Sequence, residues 1–218
     1  MQLAHRHLSR GFSLLLPLAL FCVSIVGVFA VSVYSKYFDS HKIVFPIDFF
    51  GVKMDVIGAI VPLIIGIFFA IFYFRSNFPK LTYIACFLLA IAISFVLGQP
   101  TNIGLVSNPA TFSFFVSLIA IFFTIFFAAL KEKSKWKMNI NYFTASLVLA
   151  ISCIPLAKIV VDFYYVSLVV NPVIGGNGLA DGVLLSTMYA PLASIMALSV
   201  TLFCLRIFYL TSQRKADS

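Results

Sequence analysis

Three aspartates and one lysine stand where a bilayer would have to accommodate them. Seven residues are acidic; Asp39, Asp48, Glu132 and Asp217 fall in connections or tails, whereas Asp55, Asp162 and Asp181 lie at or within the borders of long apolar runs, and Lys158 lies inside one. Ionisable groups at such depth are costly and default to functional roles. Two carboxylates held close together cannot both ionise, so one acts as acid while the other activates water. The same groups lining a polar cavity would instead bind a proton or cation, with broken backbone supplying carbonyls. Structural readings stand beside these. Lys158 precedes Asp162 by four residues, so the two share a helix face and suit an ion pair. Asp181 and Asp55 each precede an apolar run and suit an N-cap.

The stretch NPVIGGNGLADGVLLST, residues 171–187, sharpens the case for Asp181. A cap needs one polar residue, whereas Gly175, Gly176, Gly178 and Gly182 around it suggest backbone at positive φ or close approach by another chain or ligand. With Lys158 and Asp55 these glycines are the candidate binding residues. A dinucleotide fingerprint does not fit, because the stretch follows an apolar span instead of a strand and lacks the last glycine of GxGxxG.

The elements that must position these groups are membrane helices. The chain has 218 residues, 62% hydrophobic and 10% charged, with a mean hydropathy of +1.08, far too apolar for a water-soluble domain of this length. Apolar runs of spanning length occur at 12–34, 56–74, 81–97, 112–130, 142–170 and 183–210. The expected architecture is all-α: a six-span helix bundle in one integral membrane domain. The first run follows a basic start, but it exceeds the roughly 7–15 residues of a signal-peptide core and is read as a helix.

The net charge of +8 is explained by topology, not by nucleic acid. With the N-terminus in the cytoplasm, Arg6, Arg10, Arg75, Lys80, Lys131, Lys133, Lys135, Lys137, Arg206, Arg214 and Lys215 fall inside, against Lys36, Lys42 and Lys53 outside. That bias places both termini in the cytoplasm of a multi-pass cell-membrane protein. Counting from Asn141, Asp162 lies about 30 Å along its helix at the standard rise, near the outer edge of the hydrocarbon. Tyr164 and Tyr165 then fall in the outer aromatic belt. Asp181 opens the sixth span at that same level, so the two carboxylates can meet.

The connections are less regular. YSKYFDSHKIVFPIDFFGVKMD suits an interfacial strand or short helix, with Tyr34, Tyr37, Phe49 and Phe50 at the headgroups. GQPTNIGLVSNPAT reads either as a cavity wall or as an exposed loop. In the second span Gly58 and Gly66 permit close helix packing, and Pro62 between them is expected to bend the helix. Cys22, Cys86, Cys153 and Cys204 each sit in a different apolar run and read as small hydrophobes, with no metal site. No motif names a cofactor. The partners implied are the lipid bilayer, a membrane peptide or a small solute, and, because six spans are few for a transporter, a second copy of the chain.

Two resemblances accompany this reading. GGNGLADGVLLST resembles the GGxGxxDG signature of the DUF1614 family of uncharacterised prokaryotic membrane proteins, carried by Gly175, Gly176, Gly178, Asp181 and Gly182. FFGVKMDVIGAIVPLI at 49–64 is similar to that family's FFG stretch, and Asp162 to an aspartate ending its preceding helix. The family implies a polytopic membrane protein and no established activity. The layout of Asp162 and Asp181 is also similar to intramembrane aspartyl proteases of the presenilin and prepilin peptidase type, which implies a catalytic pair. The chain departs from them in having two residues between Gly178 and Asp181, Val161 before Asp162, and no PAL motif.

Overall fold

The computed structural model describes residues 15–31, 33, 45–49, 51–76, 78–101, 104–131, 140–166, 173–175 and 181–216. Six helices appear among them: α1 (Leu15–Val31), α2 (Val61–Phe74), α3 (Lys80–Leu97), α4 (Pro109–Lys131), α5 (Ile140–Val166) and α6 (Gly182–Ala216). Five are long and apolar enough to cross a membrane, α2 counted with the turn before it; α1, with 17 described residues, is the shorter one. Helices of this kind suit a bilayer because every interior backbone group is satisfied within its own segment.

The helices surround α5. In its most apolar window 83% is buried, against 28–39% in the other four spans. Its Leu147–Ala157 stretch packs on Phe69 and Tyr73 of α2, Tyr83, Cys86 and Ala90 of α3, Phe112, Val116 and Ala120 of α4, and Ala190 of α6. The outward faces carry Phe68, Leu88, Phe122 and Phe203, all exposed and all suited to lipid. Small and hydroxyl residues bring the helices close, as expected where burial in lipid offers no hydrophobic gain. Ser113 Oγ donates to Ser186 O at 2.7 Å, Ser194 Oγ to Ser117 Oγ at 3.1 Å, and Ser24 of α1 to the Met188 carbonyl.

One end of the bundle is closed by sheet, which amends the all-α expectation. Strands β1 (Pro46–Phe49) and β2 (Val52–Asp55) form an antiparallel hairpin, with Phe49 opposite Val52. The intervening Gly51 has φ +82°, a left-handed conformation that favours glycine. Strands β3 (Gln99–Thr101) and β4 (Gly104–Val106) make a second hairpin from the connection read as wall or loop. The final strand, β5 (Val173–Ile174), joins β2 in parallel, pairing Lys53 with Val173 and Met54 with Ile174. The sheet order is therefore β1-β2-β5. Of the two readings of the segment that ends at Asp55, interfacial strand or short helix, the strand is the one found; the two-residue β5 was not anticipated because it carries too little alternation to register.

Pro62, expected to bend the second span, stands where that span changes helix type. It sits in the first turn of α2, preceded by a π-helical turn, Val56–Ile60, in which the Val61 N–H reaches back to Val56 O. The wider turn accommodates a ring that cannot donate to residue 58 and would crowd its carbonyl. Gly58 and Gly66 also separate in role. Gly66 packs a helix against α5, where an added Cβ would stand 2.9 Å from Pro155 Cγ and 3.0 Å from Leu156 Cγ; Gly58 packs against the connection containing β5. Residues 167–170 of the expected fifth span, the lysine-rich connection with Trp136, and the belt residues Tyr34, Tyr37 and Phe50 lie outside the described residues.

Because Pro155 cannot yield, Gly66→Ala is expected to lower stability by about 1–3 kcal/mol through overpacking between α2 and α5. Equilibrium unfolding in detergent micelles measures it.

Candidate functional site

The site forms where the last turns of α5 meet the first turn of α6, beside the β1-β2-β5 sheet. Lys158 and Asp162 stand one helical turn apart on α5, sharing a face because 3.6 residues make a turn. Lys158 is 5% exposed. An ammonium buried to that degree needs compensating charge, and two carboxylates supply it. Lys158 interacts electrostatically with Asp162 and, less strongly, with Asp181. Asp162 in turn interacts electrostatically with both Lys158 and Asp181, the two partners that the sequence left open.

Asp181 reaches this cluster as the N-cap of α6. Its Oδ1 accepts from Val183 N at 2.7 Å, satisfying a donor that a helix start leaves without a partner, and its carbonyl accepts the first helical bond, from Leu185 N at 2.9 Å. Asp181 is 8% exposed, whereas Asp162 is only partly buried. Capping and charge pairing coexist in the one Asp181 side chain.

Gly182 makes room for the ammonium. A Cβ added there would stand 3.2 Å from Lys158 Nζ. A cation beside the positive end of a helix is unfavourable, and the cap carboxylate at Asp181 offsets it. On the far side Lys158 Nζ lies 5.3 Å from the centroid of the Phe112 ring on α4, a cation–π contact that contributes about 0.5–2 kcal/mol. The sequence offered no signal for Phe112, which does not differ in kind from Phe114 and Phe115 at the start of α4. Three helices therefore enclose one charge.

Asp55 is not brought to Lys158. Fully buried, it accepts Phe45 N at 2.5 Å through Oδ1 and Gly58 N at 2.6 Å through Oδ2. It is the cap of the π-helical turn and ties the first hairpin to α2. That tie supports the connection to α6 through glycines. Gly175 has φ +77°, and the Cβ it lacks would fall 2.7 Å from Ala59 N, while a Cβ on Gly58 would fall 2.9 Å from Gly175 Cα and closer still to its carbonyl oxygen. The backbone of β5 thus lies directly on the π-helical turn. Ile174, Met54, Ala59, Ile159 and Val183 form a small core beneath it, linking the sheet to α5 and α6 next to the charges.

Gly176 and Gly178 lie outside the described residues. Among the described residues no three His, Cys, Asp or Glu side chains gather to hold a metal ion. No family model matches the chain, and neither a similar curated protein nor a similar solved structure was found. The function must accordingly be read from the geometry of this cluster.

Two glycines with nearly the same φ provide a direct test of the backbone contact. Gly51→Ala meets only left-handed strain, since nothing stands within 4 Å of its added Cβ, whereas Gly175→Ala meets strain and backbone of α2's entry turn. Strain contributes about 1–3 kcal/mol at either position, so Gly175→Ala is expected to be the more destabilising in micellar unfolding, and to fail to insert stably if the excess is large.

Proposed function

We propose that the chain is a six-span protein of the cell membrane, with both termini cytoplasmic, that carries a proton, or a small solute coupled to one, through the Lys158–Asp162–Asp181 cluster. One observation carries the reading: the buried Lys158 interacts electrostatically with Asp162 on α5 and with Asp181 at the start of α6, and its Nζ lies against Gly182, the residue after Asp181. With all three groups charged the cluster holds one net negative charge. A proton arriving at Asp162, the partly exposed member, neutralises it and weakens one of the two attractions that hold Lys158. The ammonium then leans on Asp181 alone, which shifts the balance between α5 and the start of α6. Intramembrane carboxylate–lysine groups are suited to such exchange because each state is paid for by a partner already in place.

The aspartyl hydrolase reading uses the same residues in another way. Its two carboxylates must hold a water between them, and here the charge of Lys158 acts on Asp162 while Asp181 Oδ1 is engaged by Val183 N. Transport therefore fits the geometry better. Six spans offer little surface for a pathway, so the transporting unit is proposed to be a homo-oligomer.

Proteoliposomes with an internal pH-sensitive dye test the proposal. The wild-type chain is expected to admit protons under an imposed pH gradient, and Asp162→Asn and Lys158→Met each to lower that flux at least tenfold at equal incorporation. Flux no greater than in empty liposomes, or unchanged in both variants, overturns it. Cleavage of a reconstituted membrane peptide, lost in Asp162→Asn and Asp181→Asn, would instead support the hydrolase.

A further inference from the structure

Away from the charged cluster, the end of α2 and the start of α3 frame a groove. Both helices pack along α5, yet their backbones scarcely approach each other. Rings bridge the space at one end, where Tyr83 of α3 lies 5.6 Å from Tyr73 and 4.7 Å from Phe74 of α2. Phe74 shares a helix face with Ile67 and Ile71, so that face of α2 is turned toward α3, and all three side chains are exposed. The connection at the head of the groove is basic. Arg75, the C-cap of α2, and Lys80, the first residue of α3, are both exposed, and no acidic residue occurs between Asp55 and Glu132. A helix start leaves the amides of Lys80 and Leu81 without an internal acceptor, and Pro79 at the N-cap makes no side-chain cap to them. Behind them Thr82 Oγ1 and Tyr73 Oη, in residues each 1% exposed, have no hydrogen-bond partner among the described residues. Helical side chains lean toward the N-terminus of their helix, so the Thr82 hydroxyl, in the first turn of α3, is directed at the open amides.

We infer that the groove between α2 and α3 is a binding site for an anionic phospholipid. Its phosphate is held at the head by Arg75, Lys80 and the first amides of α3, and an acyl chain lies along Ile67, Ile71 and Phe74. A guanidinium and a helix N-terminus both suit phosphate oxygens. With two cations and no acidic residue in this segment, a headgroup of net negative charge is preferred over a zwitterionic one, since each basic residue at a membrane surface favours anionic lipid. The apolar wall selects a lipid over free phosphate, because only an acyl chain gains from covering Ile67, Ile71 and Phe74. The bound lipid joins α2 to α3 across the space that their backbones leave.

The full chain in neutral detergent provides the test. It is titrated separately with phosphatidylglycerol, with phosphatidylcholine of the same acyl chains and with inorganic phosphate, and the bound ligand is followed by native mass spectrometry. The expected result is retention of phosphatidylglycerol with an affinity about tenfold or more above that for phosphatidylcholine. That preference is expected to disappear in the Arg75→Gln, Lys80→Gln double variant and to persist in Lys53→Gln, Arg206→Gln, which removes the same charge from exposed positions elsewhere. Equal binding of the two lipids by the wild-type chain overturns the inference. So does equal loss in the two double variants, which would reveal a general attraction to net charge, or inorganic phosphate binding as tightly as the lipid, which would leave the groove without a part. The wild-type comparison needs no variant to fold, and every outcome is independent of proton flux.

Discussion

The ammonium of Lys158 constrains the rest of the molecule. It lies on α5, the most enclosed helix, buried against the Phe112 ring. A buried ion left without partners costs several kcal/mol even after relaxation, and every neighbour can be understood as an answer to that cost. Asp162 follows one turn later on the same face. Asp181 arrives from α6 already fixed by its capping bond, and Gly182 omits the side chain that would fill the ammonium's place. Phe112 turns its ring toward the charge. Such an arrangement places the beginning of α6, the end of α5 and the start of α4 at one point.

A second constraint acts on the backbone. Chain that leaves a helix near the edge of a membrane must still satisfy its N–H and C=O groups. The end of the bundle nearest the charges does so with short strands and side-chain caps. Asn108 Oδ1 accepts Ala110 N at 3.0 Å and Thr111 N at 3.2 Å to start α4, as Asp55 starts the π-helical turn and Asp181 starts α6. The glycine pair Gly58 and Gly175 then lets strand backbone rest on helix backbone without side chains between.

These two constraints explain what could be read in advance. Apolar length locates the helices well: the run at 56–74 coincides with the observed span Val56–Phe74, and 81–97 with Lys80–Leu97 to within a residue. The four-residue spacing of Lys158 and Asp162 is local, so their shared face was legible. The electrostatic interaction of Lys158 with Asp181 joins two elements across a connection and had no local signature. Gly58 illustrates the difference. Its eight-residue spacing from Gly66 suggested one packing face, yet Gly66 meets α5 and Gly58 meets Gly175, because the π-helical turn changes the helical phase between them. The parallel pairing of β5 with β2 likewise spans more than a hundred residues and two hydrogen-bonded positions, too few for periodicity to announce.

The claim on which the account rests is that Lys158 is held by both carboxylates at once. Double-mutant cycles on unfolding stability in micelles measure this directly, pairing Lys158→Met in turn with Asp162→Asn and with Asp181→Asn. The account expects a coupling energy in both cycles, each on the order of 1 kcal/mol or more, with the Asp162 cycle the larger. Additive effects in the Lys158–Asp181 cycle would contradict it, leaving Asp181 as a helix cap and nothing more.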